Sequence, residues 1–220
     1  MDPIHHLPLL AVLLSILTFS VSLTSAYDPN MLQDICVADL QSELRLNGFA
    51  CLPMENVTAD HFHSDSLAMA GDTDNKFGSK VTAAAVTVFP GLNTLGVSMA
   101  RIDYAAGGLN PPHTHPRATE LIYVTKGSLV VGFITTDDML FEKFIKIGDM
   151  FVFPRGLVHF QWNNGTTEAS VMSAFDSQFP GTQKIGNSLF ASSPEINNAI
   201  LAKSFHTKVQ VIADIKKEFM

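Results

Sequence analysis

Between residues 81 and 176, short apolar runs alternate with punctuation by Gly, Pro, Asn and Asp. Such spacing predicts many short strands rather than helices. Strands are expected over 81–89, 95–104, 120–125, 128–135, 140–147, 150–153 and 169–175. Because strand side chains alternate, Ser98, Ala100, Ile102 and Tyr104 fall on one face of the second, with Val97, Met99, Arg101 and Asp103 on the other. No helical pattern separates the strands, which argues against βαβ units and for an all-β sandwich or barrel.

The flanks read differently. Residues 27–80 form a polar, loop-rich segment, and 81–192 hold the β-rich barrel, with 177–192 irregular around Pro180-Gly181 and Gly186-Asn187. Residues 193–220 read as helices. Ser193-Pro194-Glu195 supplies an N-cap, a first-position Pro and a first-turn acid for a helix running to about Phe205. Thr207 and Gln210 make a capping-box pattern for a second helix, whose Val211, Ile212, Ile215 and Phe219 form an apolar stripe. That stripe packs on its own barrel or clasps a neighbouring subunit.

Residues 1–26 carry an apolar run, LLAVLLSILTF, followed by Thr24-Ser25-Ala26, the pattern of a secretory leader and its cleavage site. A membrane anchor is the rival, but Ser15, Thr18, Ser20 and Ser22 interrupt the roughly 20 apolar residues a span needs. No other stretch is long and apolar enough to span. A secreted chain is therefore expected, with no membrane attachment after cleavage. In an oxidising compartment Cys36 and Cys51 are expected to form a disulfide contributing about 3 kcal/mol, the alternative being two buried free thiols. Secretion also makes Asn56 (in Asn-Val-Thr) and Asn164 (in Asn-Gly-Thr) glycosylation acceptors. Asn164-Gly165 is explained equally well as a tight turn.

Composition narrows the classes. With 46% hydrophobic and 16% charged residues, a packed core is readily supplied. The formal charge of −7 and the lack of any basic block exclude the electrostatic footprint of a nucleic-acid binder. Two cysteines exclude a cysteine-based zinc cluster.

The chemistry lies among the 8 histidines. His113 and His115 flank one residue, so on a strand both face the same way. Glu120 opens the apolar run Leu121-Ile122-Tyr123-Val124, where a carboxylate needs a partner or a cation. His159 sits between Val158 and Phe160 in another β context. Singly, each histidine reads as an ordinary core residue. Together, three imidazoles and a carboxylate suit Mn, Fe, Ni, Cu or Zn and leave open positions on a six-coordinate ion. With a divalent ion the site carries one net positive charge, which attracts a small anion. His61 and His63 share the spacing but lie in a polar stretch with no following carboxylate in an apolar run, so they are not expected to bind metal.

Gly107–Gly127 reads GGLNPPHTHPRATELIYVTKG and fits the first cupin motif, G-x5-H-x-H-x4-E-x6-G. Residues 148–163 read GDMFVFPRGLVHFQWN and fit the second, G-x5-P-x-G-x2-H-x3-N. With FPGLNTLGVSMARIDY and the early Cys-Val-Ala-Asp, the mature chain resembles the plant germins and germin-like proteins throughout. The resemblance implies a cupin jelly-roll β-barrel holding manganese, a short N-terminal disulfide and C-terminal helices used in assembly. It also implies a homo-oligomer, a hexamer built as a trimer of dimers, in the apoplast or cell wall. Carried over by position, the metal ligands are His113, His115, Glu120 and His159. Asn110 and Gln161 become substrate-side amides, orienting bound water or substrate, although Asn110 could simply shape a turn and Gln161 satisfy a backbone group.

One position departs from the family's oxalate oxidases. Where they have Asn, this chain has Ala100. A lost donor to a dicarboxylate costs roughly 10- to 100-fold in rate if it acts in the transition state. Superoxide asks for less, so manganese superoxide dismutation is the leading expectation. Oxalate oxidation, nucleotide-sugar pyrophosphatase or phosphodiesterase chemistry and a non-enzymatic wall or storage role are the alternatives.

Overall fold

A computed structural model describes residues 31–219. The leader expected at 1–26 lies outside the described residues. Among the described residues, ten strands form two five-stranded sheets. In chain order they are β1 Ser79–Ala84, β2 Ser98–Tyr104, β3 Leu109–Thr114, β4 Glu120–Lys126, β5 Ser128–Ile134, β6 Leu140–Lys146, β7 Met150–Phe153, β8 Val158–Trp162, β9 Ala169–Phe175 and β10 Gln183–Lys184. One sheet runs β1-β2-β9-β4-β7 and the other β10-β3-β8-β5-β6. Every pairing is antiparallel.

The alternation seen in the sequence explains the packing. Ser98, Ala100, Ile102 and Tyr104 are all buried, and Ile102 and Tyr104 join Ile122, Val124, Leu129, Val131, Phe153 and Val171 between the sheets. Burying each large apolar side chain contributes about 1.5–3 kcal/mol. Gly127 is the single residue between β4 and β5, which belong to different sheets. Its φ is +70°, and a Cβ there would sit 2.6 Å from the Glu168 carbonyl oxygen, so only glycine fits this corner.

Several expectations need correction. The first strand stops at Ala84, because Val88 and Phe89 donate back to the Ala85 carbonyl in a turn. Asp103, on the outer face of β2, is buried: it accepts from Arg101, the Gly71 amide and the Ser170 hydroxyl, which fastens the 67–71 segment over the strand. The stretch read as irregular contains β10 and a short helix, α1 Ile185–Phe190. In the tail, α2 Asn198–Ser204 opens four residues later than Pro194 suggests, because the Asn197 side chain caps the Ala199 amide. The Thr207 capping box does not form. Gln210 donates instead along α3, Val209–Lys217, to Asp214. The buried face of α3 is also rotated. Ile212 packs on Leu201 and Ala202, while Val211 is 43% exposed. Lys216 is buried and bonds Glu195 and the Ile196 carbonyl.

Cys36 and Cys51 are joined by a disulfide, and no described cysteine is free. Asn56 ends a 3-10 turn, Met54–Asn56, and is exposed. Asn164 is exposed in the β8–β9 connection. Its neighbour Asn163, which closes the second motif, is buried and braces that turn through the Ala105 and Thr167 carbonyls.

Candidate metal centre

The site is built by a break in a strand. β3 contains Pro111 and Pro112, and proline cannot donate to a ladder. The β3–β8 register shifts there: Asn110 pairs with Gln161, and His113 with His159. On β8 the two partners are two residues apart and share a face. On β3 they are three apart, and the extra residue is a bulge. Hence Asn110 and His113, which a regular strand would turn to opposite faces, both point inward and are 4% and 2% exposed. His115 follows just past the end of β3, and Glu120 opens β4 between Phe153 of β7 and Phe175 of β9.

His113, His115, Glu120 and His159 are thereby brought together. Each offers a ligand atom, and these atoms lie within 4.8 Å of one another. All four residues are buried. The rings are fixed from behind by backbone carbonyls. His113 Nδ1 faces the Pro111 oxygen at 2.8 Å, His159 Nδ1 faces the Leu157 oxygen at 2.9 Å, and His115 Nδ1 bonds the Gly181 oxygen. A carbonyl oxygen only accepts, so each Nδ1 donates to it, which fixes the ring with Nε2 turned into the cluster. His159 also stacks on Phe153, and His115 meets the edge of Phe175.

The inward ring nitrogens converge on a carboxylate. Glu120 Oε2 lies 3.0 Å from His159 Nε2 and 3.3 Å from His115 Nε2. Glu120 Oε1 accepts from the Ser173 hydroxyl at 2.7 Å. Burial alone would push the Glu120 carboxyl up, but the contacts with His115 and His159 outweigh it and hold the group below the usual carboxylate range. Burial first, and then His159, lowers His113 to about 3. The cluster therefore brings three imidazoles and one buried carboxylate to a single point. That is an arrangement a cation stabilises, and the donor set fits manganese, with nitrogen and oxygen ligands and no thiolate. Deeper in the barrel, burial pushes the Tyr104 phenol up, helped by Glu120 and Asp103, and keeps it protonated.

A cavity of about 480 Å³ reaches the cluster from the surface. His113, His115 and Glu120 line its floor, Ala100, Ile102 and Asn110 its wall, and Phe77 and Lys184 its mouth. Lys184 pairs directly with His113 across β10 and β3 and so shares its face. Its ammonium lies 5.7 Å from the centre of the Phe77 ring. Asn110 Nδ2 donates to Gln161 Oε1 at 2.7 Å, so the two amides form one buried unit rather than separate turn or backbone fixtures. Gln161 Nε2 is buried without a partner among the described residues. Lys184 and Ser173 were not singled out from the sequence. Lys184 lies in the stretch read as irregular, and Ser173 is one polar residue in an apolar strand, a signal that the inward parity of Val171 and Phe175 could have raised.

The barrel and its inward cluster of three histidines and one glutamate define a cupin, and the Cupin family model matches residues 65–213. The chain belongs to the germin-like proteins within that family. It is 54% identical over 212 residues to germin-like protein subfamily 2 member 1 of Arabidopsis thaliana, covering 96% of this chain and 97% of that one. It is 56% identical over 210 residues to germin-like protein 5-1 of Oryza sativa subsp. japonica, covering 96% and 94%. Among solved structures, a recombinant oxalate oxidase in complex with glycolate superposes with a TM-score of 0.85 at 44% identity, covering 87% of this chain and 98% of the other.

Proposed function

We propose that the chain is a secreted, manganese-binding germin-like protein that dismutates superoxide and releases hydrogen peroxide outside the cell. The observation that carries this reading is the convergence of three imidazoles and the Glu120 carboxylate on one buried point lining an open cavity. Manganese bound by His113, His115, Glu120 and His159 would supply one-electron cycling between its divalent and trivalent states. Two superoxide anions and two protons then become one dioxygen and one hydrogen peroxide. The protein's own part is to admit a small anion and to hold it. Lys184 at the mouth draws an anion inward, against the overall charge of −7. Asn110 and Gln161, tied together, orient water or substrate above the floor.

The leader at 1–26 supports export to the apoplast or cell wall, where Asn56 and Asn164 are exposed for glycosylation. No helix among the described residues is long and apolar enough to cross a membrane. The tail keeps Ile200 60% and Val209 51% exposed, which supports a role for α2 and α3 in a homo-oligomer of the hexameric, trimer-of-dimers kind.

Oxalate oxidation is the second reading, favoured by the likeness to the oxalate oxidase structure. Against it stands Ala100, buried in the cavity wall with no donor to offer. The deciding experiment measures metal by mass spectrometry on secreted native protein, with superoxide and oxalate turnover assayed on the same sample. One manganese per chain with dismutation and no oxalate turnover is expected. Ala100→Asn should then bring oxalate turnover up from below detection, a donor of this kind supplying about 10- to 100-fold in rate. Folded, metal-free protein inert in both assays would overturn the enzymatic reading in favour of a wall or storage protein.

A further inference from the structure

Glu120 has two oxygens in unlike surroundings. Oε2 faces His115 and His159. Oε1 turns away and accepts one hydrogen bond, from Ser173 Oγ at 2.7 Å, the one hydroxyl or amide donor it meets among the described residues. Ser173 is completely buried. It sits on β9, opposite Ile122 of β4 on one side and Ala100 of β2 on the other. All three point into the barrel and are buried. An ionised carboxylate is acceptor-only, so the serine must donate. A hydroxyl in an otherwise apolar strand face is costly unless it is satisfied, and Glu120 is what satisfies it.

We infer that Ser173 is a positioning residue: it pins Glu120 Oε1 so that the carboxylate presents Oε2 alone to the three histidines. The inference rests on the metal reading above. Its consequence is chemical. A carboxylate free to turn can offer both oxygens to an ion and fill a position needed by substrate, or swing out of line and hold the ion less well. Hydrogen-bond partners of ligands commonly change metal affinity by about 10- to 100-fold. The placement opposite Ala100 adds a second point. The wall position without an amide lies across the strand from the position that carries the hydroxyl, so polarity next to Glu120 is supplied from β9 and not from β2.

The test uses the full secreted chain with its metal stripped and manganese(II) chloride added back. Ser173→Ala removes the donor. Ser173→Thr and Ser173→Val form a pair of equal shape that differs only in the hydroxyl, so any packing disturbance is common to both. Manganese affinity is read by chelator competition, and ligand geometry by the zero-field splitting in the manganese(II) resonance spectrum. Ser173→Ala and Ser173→Val should bind manganese about 10- to 100-fold more weakly than the native chain, with altered splitting. Ser173→Thr should keep the native affinity and spectrum. Equal affinity and identical spectra for the Thr and Val variants would overturn the inference, because the hydroxyl would then serve packing alone. A native chain that takes up no manganese would overturn the metal reading itself, a result distinct from any difference among variants.

Discussion

His61 and His63 have the same spacing as His113 and His115, and almost nothing else in common. The first pair lies in and just after a 3-10 turn, Ala59–Phe62, with His61 half-buried and His63 exposed. His61 Nδ1 accepts from the Thr58 amide at 3.0 Å, which places the proton of a neutral ring on Nε2. At His113 and His115 the arrangement is reversed. Backbone carbonyls accept from Nδ1, and Nε2 is turned inward. A spacing of two residues brings a pair together. What makes ligands of them is the backbone atom behind each ring, the carboxylate in front and the exclusion of water.

The largest effect that would sharpen this contrast comes from His159→Ala. It removes one of four converging donors and leaves Glu120 with a buried charge and one imidazole fewer. Manganese content should fall from about one per chain to near zero, with loss of turnover of several orders of magnitude, because removing part of a metal site removes the chemistry it supplies. Mass spectrometry with a superoxide assay checks it. Retained metal and activity would break the assignment of these four residues.

A second effect appears in metal-free protein. His113 is lowered to about 3 in the fold, against 6.5 for the exposed ring. The unfolded chain therefore takes up the proton first. Stability from this group is fully present above pH 6.5 and is lost as pH falls through the window from 6.5 to about 3. Between pH 6.5 and 4.5 the loss is on the order of 2 kcal/mol. Glu120, held low, acts in the same direction at more acid pH. Urea unfolding of stripped protein across this range measures it. Metal-loaded protein should be flatter down to the pH at which the ion is released, since bound metal competes with protons for the same lone pairs. A stripped protein with pH-independent stability from 6.5 to 4.5 would contradict the buried, neutral state of the ring.

The legible parts of this site are those the chain encodes locally. Alternation placed Ala100, Ile102 and Tyr104 on the buried face of β2, and motif spacing picked out the four residues that the fold brings together. What escaped notice is held by contacts between distant segments. His115 is oriented by the carbonyl of Gly181, 66 residues away, in a stretch that reads as irregular. Ser173 reaches Glu120 across 53 residues. The inward turn of Asn110 depends on a bulge at Pro111-Pro112, which parity counting along an ideal strand would miss. The tail misled for a related reason. Ser193-Pro194 and Thr207 are sound local signals, but Asn197 and the burial of Lys216 against Glu195 decide where the helices begin and which face turns in.

The smallest effect is the one expected at the other histidine pair. The double variant His61→Ala, His63→Ala deletes one half-buried and one exposed ring and the contact of His61 with the Thr58 amide. The turn keeps its own backbone bonds, from the His61 amide to the Thr58 carbonyl and from the His63 amide to the Asp60 carbonyl. Exposed substitutions of this kind stay within about 0.5 kcal/mol, and one lost exposed hydrogen bond adds little beyond that. Manganese stoichiometry and turnover should match the native chain, and the urea midpoint should shift only slightly. The variant also controls for the first prediction, since it removes two imidazoles where His159→Ala removes one. If it lost manganese as well, histidine number and not the buried geometry would govern binding, and the distinction between the two pairs would fail.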